Sequence, residues 1–205
     1  MKRITALTAV CMCLISAVSC GSKDSSSSGT SLQGYETPAV TGDMRSGDSA
    51  EDAIRELYAA TYSPEGGLVW YEYMYPMTAV NVLKDSGDLD NMVSIYNNNV
   101  AQFASDAKQL PAVTDITKCE PMSEEALAAA DVYLTEQAKQ VISKVEDSDV
   151  VITKGFDMTF SIVDENGEAS DDLACMVWAE NDGWKYIGAS EESLTAMISA
   201  YQSGT

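Results

Sequence analysis

The sequence predicts an α+β domain, and three observations carry that prediction. Apolar residues recur at three- and four-residue spacing through most of residues 49–145, as amphipathic helices require. The period then drops to two, with Phe156, Met158, Phe160 and Ile162 alternating with Asp157, Thr159 and Ser161. Asn166-Gly167 and Asn181-Asp182-Gly183 supply the residue types that tight hairpin turns use. Helices first and an antiparallel sheet last is the order of a segregated α+β fold.

Each element has its own justification. Ser49 with Asp52 three residues on reads as a capped helix start, and Ile54, Leu57, Tyr58 and Thr61 form its apolar stripe up to the break at Pro64-Glu65-Gly66-Gly67. Trp70, Tyr73, Met74 and Met77 share one face of a short helix interrupted near Pro76, and a further turn over 79–83 closes at Asp85-Ser86-Gly87. Leu89, Met92, Val93, Tyr96, Val100, Phe103, Ala104 and Ala107 then mark a long amphipathic helix. A short strand is predicted over 112–119, followed by a second long helix opening at Ser123-Glu124-Glu125. Leu127, Leu134, Ala138, Val141, Ile142 and Val145 lie on its buried side.

The strands follow. With Asn166-Gly167 as the turn centre, Phe160 faces Leu173, Met158 faces Cys175 and Phe156 faces Val177, so apolar residues meet apolar residues across the pair. Asn181-Asp182-Gly183 turns the chain into Trp184-Lys185-Tyr186-Ile187. Leu194, Ile198 and Tyr201 then fall at helical spacing in a terminal helix over 190–201.

The first 47 residues have a different character. Lys2 and Arg3 precede an uncharged apolar run over 4–18, which is shorter than the roughly 20 residues a membrane-spanning helix needs and fits an export signal. Ser16-Ala17-Val18-Ser19-Cys20 resembles the lipobox of bacterial lipoprotein signal peptides, although Ala17 stands where leucine is usual. The resemblance implies cleavage after Ser19, a diacylglyceryl group on the Cys20 sulfur and residence on the extracytoplasmic face of the cell membrane. Two acyl chains suffice for stable anchoring where one holds only marginally. Residues 21–47 are rich in Ser, Gly and Thr, too poor in apolar groups to fold, and form a tether about 25–30 Å in mean reach. The division is therefore signal peptide 1–19, lipidated cysteine and tether 20–47, and one domain over 48–205.

Charge and composition exclude several functions. With Lys2 and Arg3 removed, ten basic residues face 32 acids, a formal charge of −22, opposite in sign to what phosphate neutralisation needs, so nucleic acid is no partner. No histidine occurs, which removes histidine triads, histidine metal ligands and the commonest general base. Cys119 and Cys175 are the two cysteines of the domain, either bridged or free thiols. Two thiols cannot make a four-thiolate zinc site.

The order of elements resembles the NTF2-like cone fold, in which N-terminal helices pack on a curved antiparallel sheet. The residues that carry the likeness are SAEDAIRELYAA (49–60), VTDITKCEPMSEEAL (113–127) and ENDGWKYIG (180–188). Such domains bind small ligands, pair with partner proteins or catalyse, so the fold alone selects no function. The resemblance also implies a homodimer through the outer sheet face, for which Ala174, Met176 and Trp178 are candidates unless a helix covers them.

Three groups of residues are candidates for function. Tyr58, Tyr62 and Asp157 are the types that cone-pocket enzymes use, but helical spacing makes the tyrosines core residues and strand alternation makes Asp157 solvated. VWYEYMYP gathers Trp70, Tyr71, Tyr73 and Tyr75, which would suit a sugar, peptide or apolar ligand in a concave pocket. The competing assignment has Trp70 and Tyr73 in the core, with Tyr71 and Tyr75 toward solvent. The acidic stretches 85–91 and 164–172 lack EF-hand spacing and read as solvated edges, so neither a metal nor any other cofactor is expected. The expected function is a membrane-anchored module binding a small molecule or an envelope protein. An enzyme with carboxylate and tyrosine in its cone, and a structural envelope protein without a ligand, stand as alternatives.

Overall fold

The computed structural model describes residues 49–141 and 150–204. Cys20, the tether, Ile142 and Val145 lie outside these residues. Among the described residues are six helices and four strands.

Helix α1 (Ala50–Thr61) starts where the sequence places a cap: the Asp52 N–H donates to Ser49 Oγ at 3.1 Å, which satisfies one of the helix's free N–H groups. Its buried stripe contains Ala53, Ile54, Leu57, Tyr58 and Thr61. Helix α2 (Gly67–Met74) stops before Pro76, and α3 (Met77–Ser86) is longer than the single turn expected. Gly87 separates it from α4 (Asp88–Asp106), the long amphipathic helix, whose buried residues are Leu89, Tyr96 and Val100.

The sheet is a meander, β1 (Ala112–Pro121), β2 (Ile152–Val163), β3 (Ala169–Ala179) and β4 (Gly183–Ile187), antiparallel throughout and ordered β1-β2-β3-β4. Helix α5 (Glu124–Val141) intervenes between β1 and β2, and α6 (Glu191–Ser203) follows β4. Two register irregularities interrupt β1, a device that discourages edge pairing.

The β2–β3 hairpin turns where expected but one residue out of the predicted register. Phe160 faces Asp172, Met158 faces Ala174 and Phe156 faces Met176. The cause is the loop: Gly167 has φ of 88° and its N–H donates to Asp164 O, giving a three-residue loop in place of a two-residue one. A one-residue slip exchanges the two faces of a strand. Ala174 and Met176 therefore share a face with Phe160, which packs on Tyr58 of α1. Both are fully buried, so they are no dimer surface; Trp178 is half-buried.

The opposite face carries Cys175, Val177 and Ile187, packed with Ala126, Ala130 and Leu134 of α5 and Leu194 and Ile198 of α6. Gly155 permits this layer. A Cβ there would lie 2.6 Å from Met122 Sδ and 2.9 Å from Leu127 Cδ2 and Val177 Cγ1, so a larger residue would force these side-chain ends to move. Helices thus cover both faces, although α5 and α6 leave the hairpin end of theirs open, where Leu173 is exposed. Beyond β4, the buried Lys185 ammonium donates to Glu72 O at 2.6 Å, and Asp182 Oδ2 accepts from the Met77 N–H at 2.7 Å. These bonds tie α2 to β4 and α3 to the β3–β4 turn.

Candidate functional site

An open cleft of about 720 Å³ lies where the uncovered part of the sheet meets the start of α5 and the first two to three turns of α6. Asp157 and Thr159 of β2, Lys118 of β1 and Leu173 of β3 form its floor side, and Ser123, Glu191 and Thr195 its helical side. The positions follow from local rules. Lys118 and Asp157 lie on the sheet face that α5 and α6 partly cover, at its open end, while Ser123 and Ser190 are helix caps, each accepting an N–H three residues on.

Asp157 is the centre of this geometry. Its Oδ2 accepts from Lys118 Nζ at 2.6 Å and its Oδ1 from the Glu191 N–H at 3.0 Å, so one carboxylate joins β1, β2 and the start of α6. Only 13% of its side chain is exposed, against 38% for Lys118, so it is not the solvated residue the alternation predicts. A carboxylate at a helix start is favoured by the free N–H groups and the helix dipole. The hydrogen bond to Asp157, with smaller contributions from the carboxylates of Asp157 and Glu120, raises the Lys118 pKa above its ordinary value. Glu191 in turn accepts from the Ser123 N–H at 3.1 Å and from Ser123 Oγ, linking the two helix starts. The resulting wall presents hydroxyls and carboxylates around one ammonium, suited to polar ligands that exchange hydrogen bonds.

The aromatic segment lies elsewhere and is filled. Trp70, Tyr71 and Tyr73 are buried and Tyr75 is half-buried, so Tyr71 belongs to the core and does not edge toward solvent. Trp70 packs at 5.0 Å on Tyr96 and 4.9 Å on Tyr71, and Tyr71 stacks on Tyr75. The Tyr73 hydroxyl donates to Glu56 Oε2 at 2.7 Å. These rings serve one another, and none lines the cleft.

Tyr58 and Tyr62 are core residues, as their spacing predicts. The Tyr58 hydroxyl donates to Asp172 Oδ2 at 2.6 Å, and Asp172 is 4% exposed. An inward carboxylate beside a tyrosine therefore exists, but Phe160 and Tyr62 pack against the Tyr58 ring. Burial first, then the charges of Tyr186 and Asp172 and the hydrogen bond to Asp172, push the Tyr58 phenol far above its ordinary pKa.

Cys119 and Cys175 are free thiols and form no bridge. They lie on β1 and β3 with β2 between them, about 9–10 Å at the usual strand spacing. Cys119 pairs with Met158 and Cys175 with Asp157, neighbouring residues on opposite faces, so neither distance nor direction suits a disulfide. Burial, then the charges of Asp157 and Glu191, push the Cys175 thiol up to about 12. The acidic stretches have structural roles. Asp88 and Asp90 occupy the first turn of α4, and Asp164 Oδ1 accepts the Asn166 and Glu168 N–H groups in the hairpin loop. Among the described residues no group of three or more His, Cys, Asp or Glu could hold a metal ion, and no helix is long and apolar enough to cross a membrane.

Sequence reasoning missed Lys118, Ser123 and Glu191 as site residues. Their signal, a polar strand position, a helix cap and an acidic residue in a first helical turn, is one that many residues share. Comparison with protein-family models, curated proteins and solved structures finds no match to the chain.

Proposed function

We propose that this chain is a lipoprotein whose Cys20 carries a diacylglyceryl anchor, whose residues 21–47 form a tether, and whose NTF2-like domain is a binding module on the extracytoplasmic face. Its ligand, a small polar molecule or a polar segment of an envelope protein, seats in the cleft around Lys118 and Asp157. The observation that carries this reading is the contrast between that cleft, open and lined by hydrogen-bonding groups, and the aromatic segment, whose rings are spent on one another. The helices preceding the sheet and the insertion of α5 between β1 and β2 support the NTF2-like assignment, while the packing of α5 and α6 on the second sheet face departs from it.

Two measurements test the proposal. Metabolic labelling with an alkyne-bearing fatty acid should mark the wild-type chain, and Cys20→Ser should abolish the label and move the protein to the soluble fraction; an unlabelled wild-type chain overturns the anchor. Mass spectrometry of molecules retained by the native protein should find a species lost when Lys118→Met and Asp157→Asn are combined. Retention unchanged by that pair removes the cleft as the binding site.

A further inference from the structure

Lys154, Trp178 and Trp184 stand on one rung of the sheet. Lys154 is opposite Trp178 across β2 and β3, and Trp178 is opposite Trp184 across β3 and β4. Residues so paired project to the same side, and Phe156, two residues from Lys154, joins them there. The two indoles meet at 82° with centroids 5.4 Å apart, and Phe156 lies 6.1 Å from Trp184. Together they make an aromatic corner at one end of the sheet.

The corner is occupied by the chain's own cation. Lys154 Nζ lies 5.0 Å from the centroid of Trp178 and 4.9 Å from that of Trp184, both inside the roughly 6 Å at which a ring face attracts positive charge. Acids outnumber bases nearly three to one in this chain, yet Lys154 forms no ion pair among the described residues. Its charge rests on π faces instead. Trp184 is 4% exposed and Trp178 half-buried, so strand pairing and packing fix the rings, whereas Lys154 is exposed on a flexible stem. The fixed part is the receptor and the movable part is its occupant.

We infer that this corner is a binding site for an alkylammonium group, with Lys154 as a built-in competitor. A trimethylammonium head is bulkier and less strongly hydrated than a lysine ammonium, and aromatic faces set at right angles are how proteins recognise such heads. Lys154 vacates the corner by turning into solvent, without any backbone change. The site is separate from the cleft and independent of the reading given to it.

The experiment is a choline titration of the purified full chain, followed through the indole N–H signals of Trp70, Trp178 and Trp184 in ¹H–¹⁵N spectra. Trp178 and Trp184 should shift saturably while Trp70 stays still. Lys154→Met should tighten choline roughly fivefold, because a competing cation–π contact is gone. Trp178→Leu should abolish the response at Trp184, and 3,3-dimethylbutan-1-ol, the neutral isostere, should produce none. Phosphatidylcholine vesicles decide the source: binding that Lys154→Met strengthens assigns a lipid headgroup, and a choline response without vesicle binding assigns a free ligand. Absence of a saturable shift in both wild type and Lys154→Met overturns the proposal. So does an equal response to the neutral isostere, or a shift of all three indoles that simply follows ionic strength.

Discussion

Asp157 and Asp172 lie on adjacent strands of one sheet, and their surroundings could hardly differ more. Asp157 faces the cleft, where an ammonium and a helix N–H hold its two oxygens. Asp172 lies on the α1 face, where a neutral phenol holds one oxygen and the Leu173 N–H the other. The first arrangement keeps a charged group usable at a surface; the second satisfies a polar group so that it can be buried. Burial without a donor is the costly alternative. The contrast separates the polar residue that makes a site from the polar residue that completes a core.

The largest effect is expected on the buried side. Tyr58→Phe removes the donor to Asp172 and should lower stability by about 2–3 kcal/mol, measured by urea unfolding. Adding Asp172→Asn should recover part of that loss, because an amide costs less than a carboxylate to leave short of a donor. No recovery would mean the two residues are not energetically coupled.

The same burial predicts alkaline sensitivity. Tyr58 and Tyr73 have folded pKa values raised above their ordinary 10, Tyr73 by burial and then its bond to Glu56. Above that pH the unfolded chain releases protons that the folded chain retains, so stability is full below pH 10 and falls as pH rises beyond it. Thermal midpoints across pH 8–11 should drop above 10, less steeply in Tyr58→Phe.

On the cleft side, Asp157→Ala should cost about 1–2 kcal/mol through the lost contact to the start of α6. It should also accelerate amide exchange in the first turn of α6 more than in α1. Equal acceleration in both helices would argue that Asp157 acts through general stability. The smallest effect belongs to Ser123→Ala, about 0.5–1 kcal/mol for the lost α5 cap, read as a slight shift of the urea midpoint.

Much of the fold was legible because helix signals are local. The stripe Ile54, Leu57, Tyr58 and the long run from Leu89 to Val100 need only their own spacing, and the structure forms helices at both. The hairpin shows where locality ends. Asn166-Gly167 marks the turn, but whether the loop holds two residues or three depends on how the strands settle, and that choice moved Asp172 into the core and Cys175 to the other face. The site was less legible still. Lys118, Asp157 and Glu191 are 39 and 34 residues apart along the chain, and no pattern in either interval announces that they meet.

The sequence by itself determined the helices, the strands, the turn positions and an acidic, histidine-free surface, because spacing, turn chemistry and charge act over a few residues. Only the tertiary structure decided which carboxylate is buried, that the two thiols stay apart, and that the aromatic segment packs on itself while an open cleft forms elsewhere. These outcomes depend on which face of each strand meets which helix, and a one-residue change of register reverses that choice without altering any local preference.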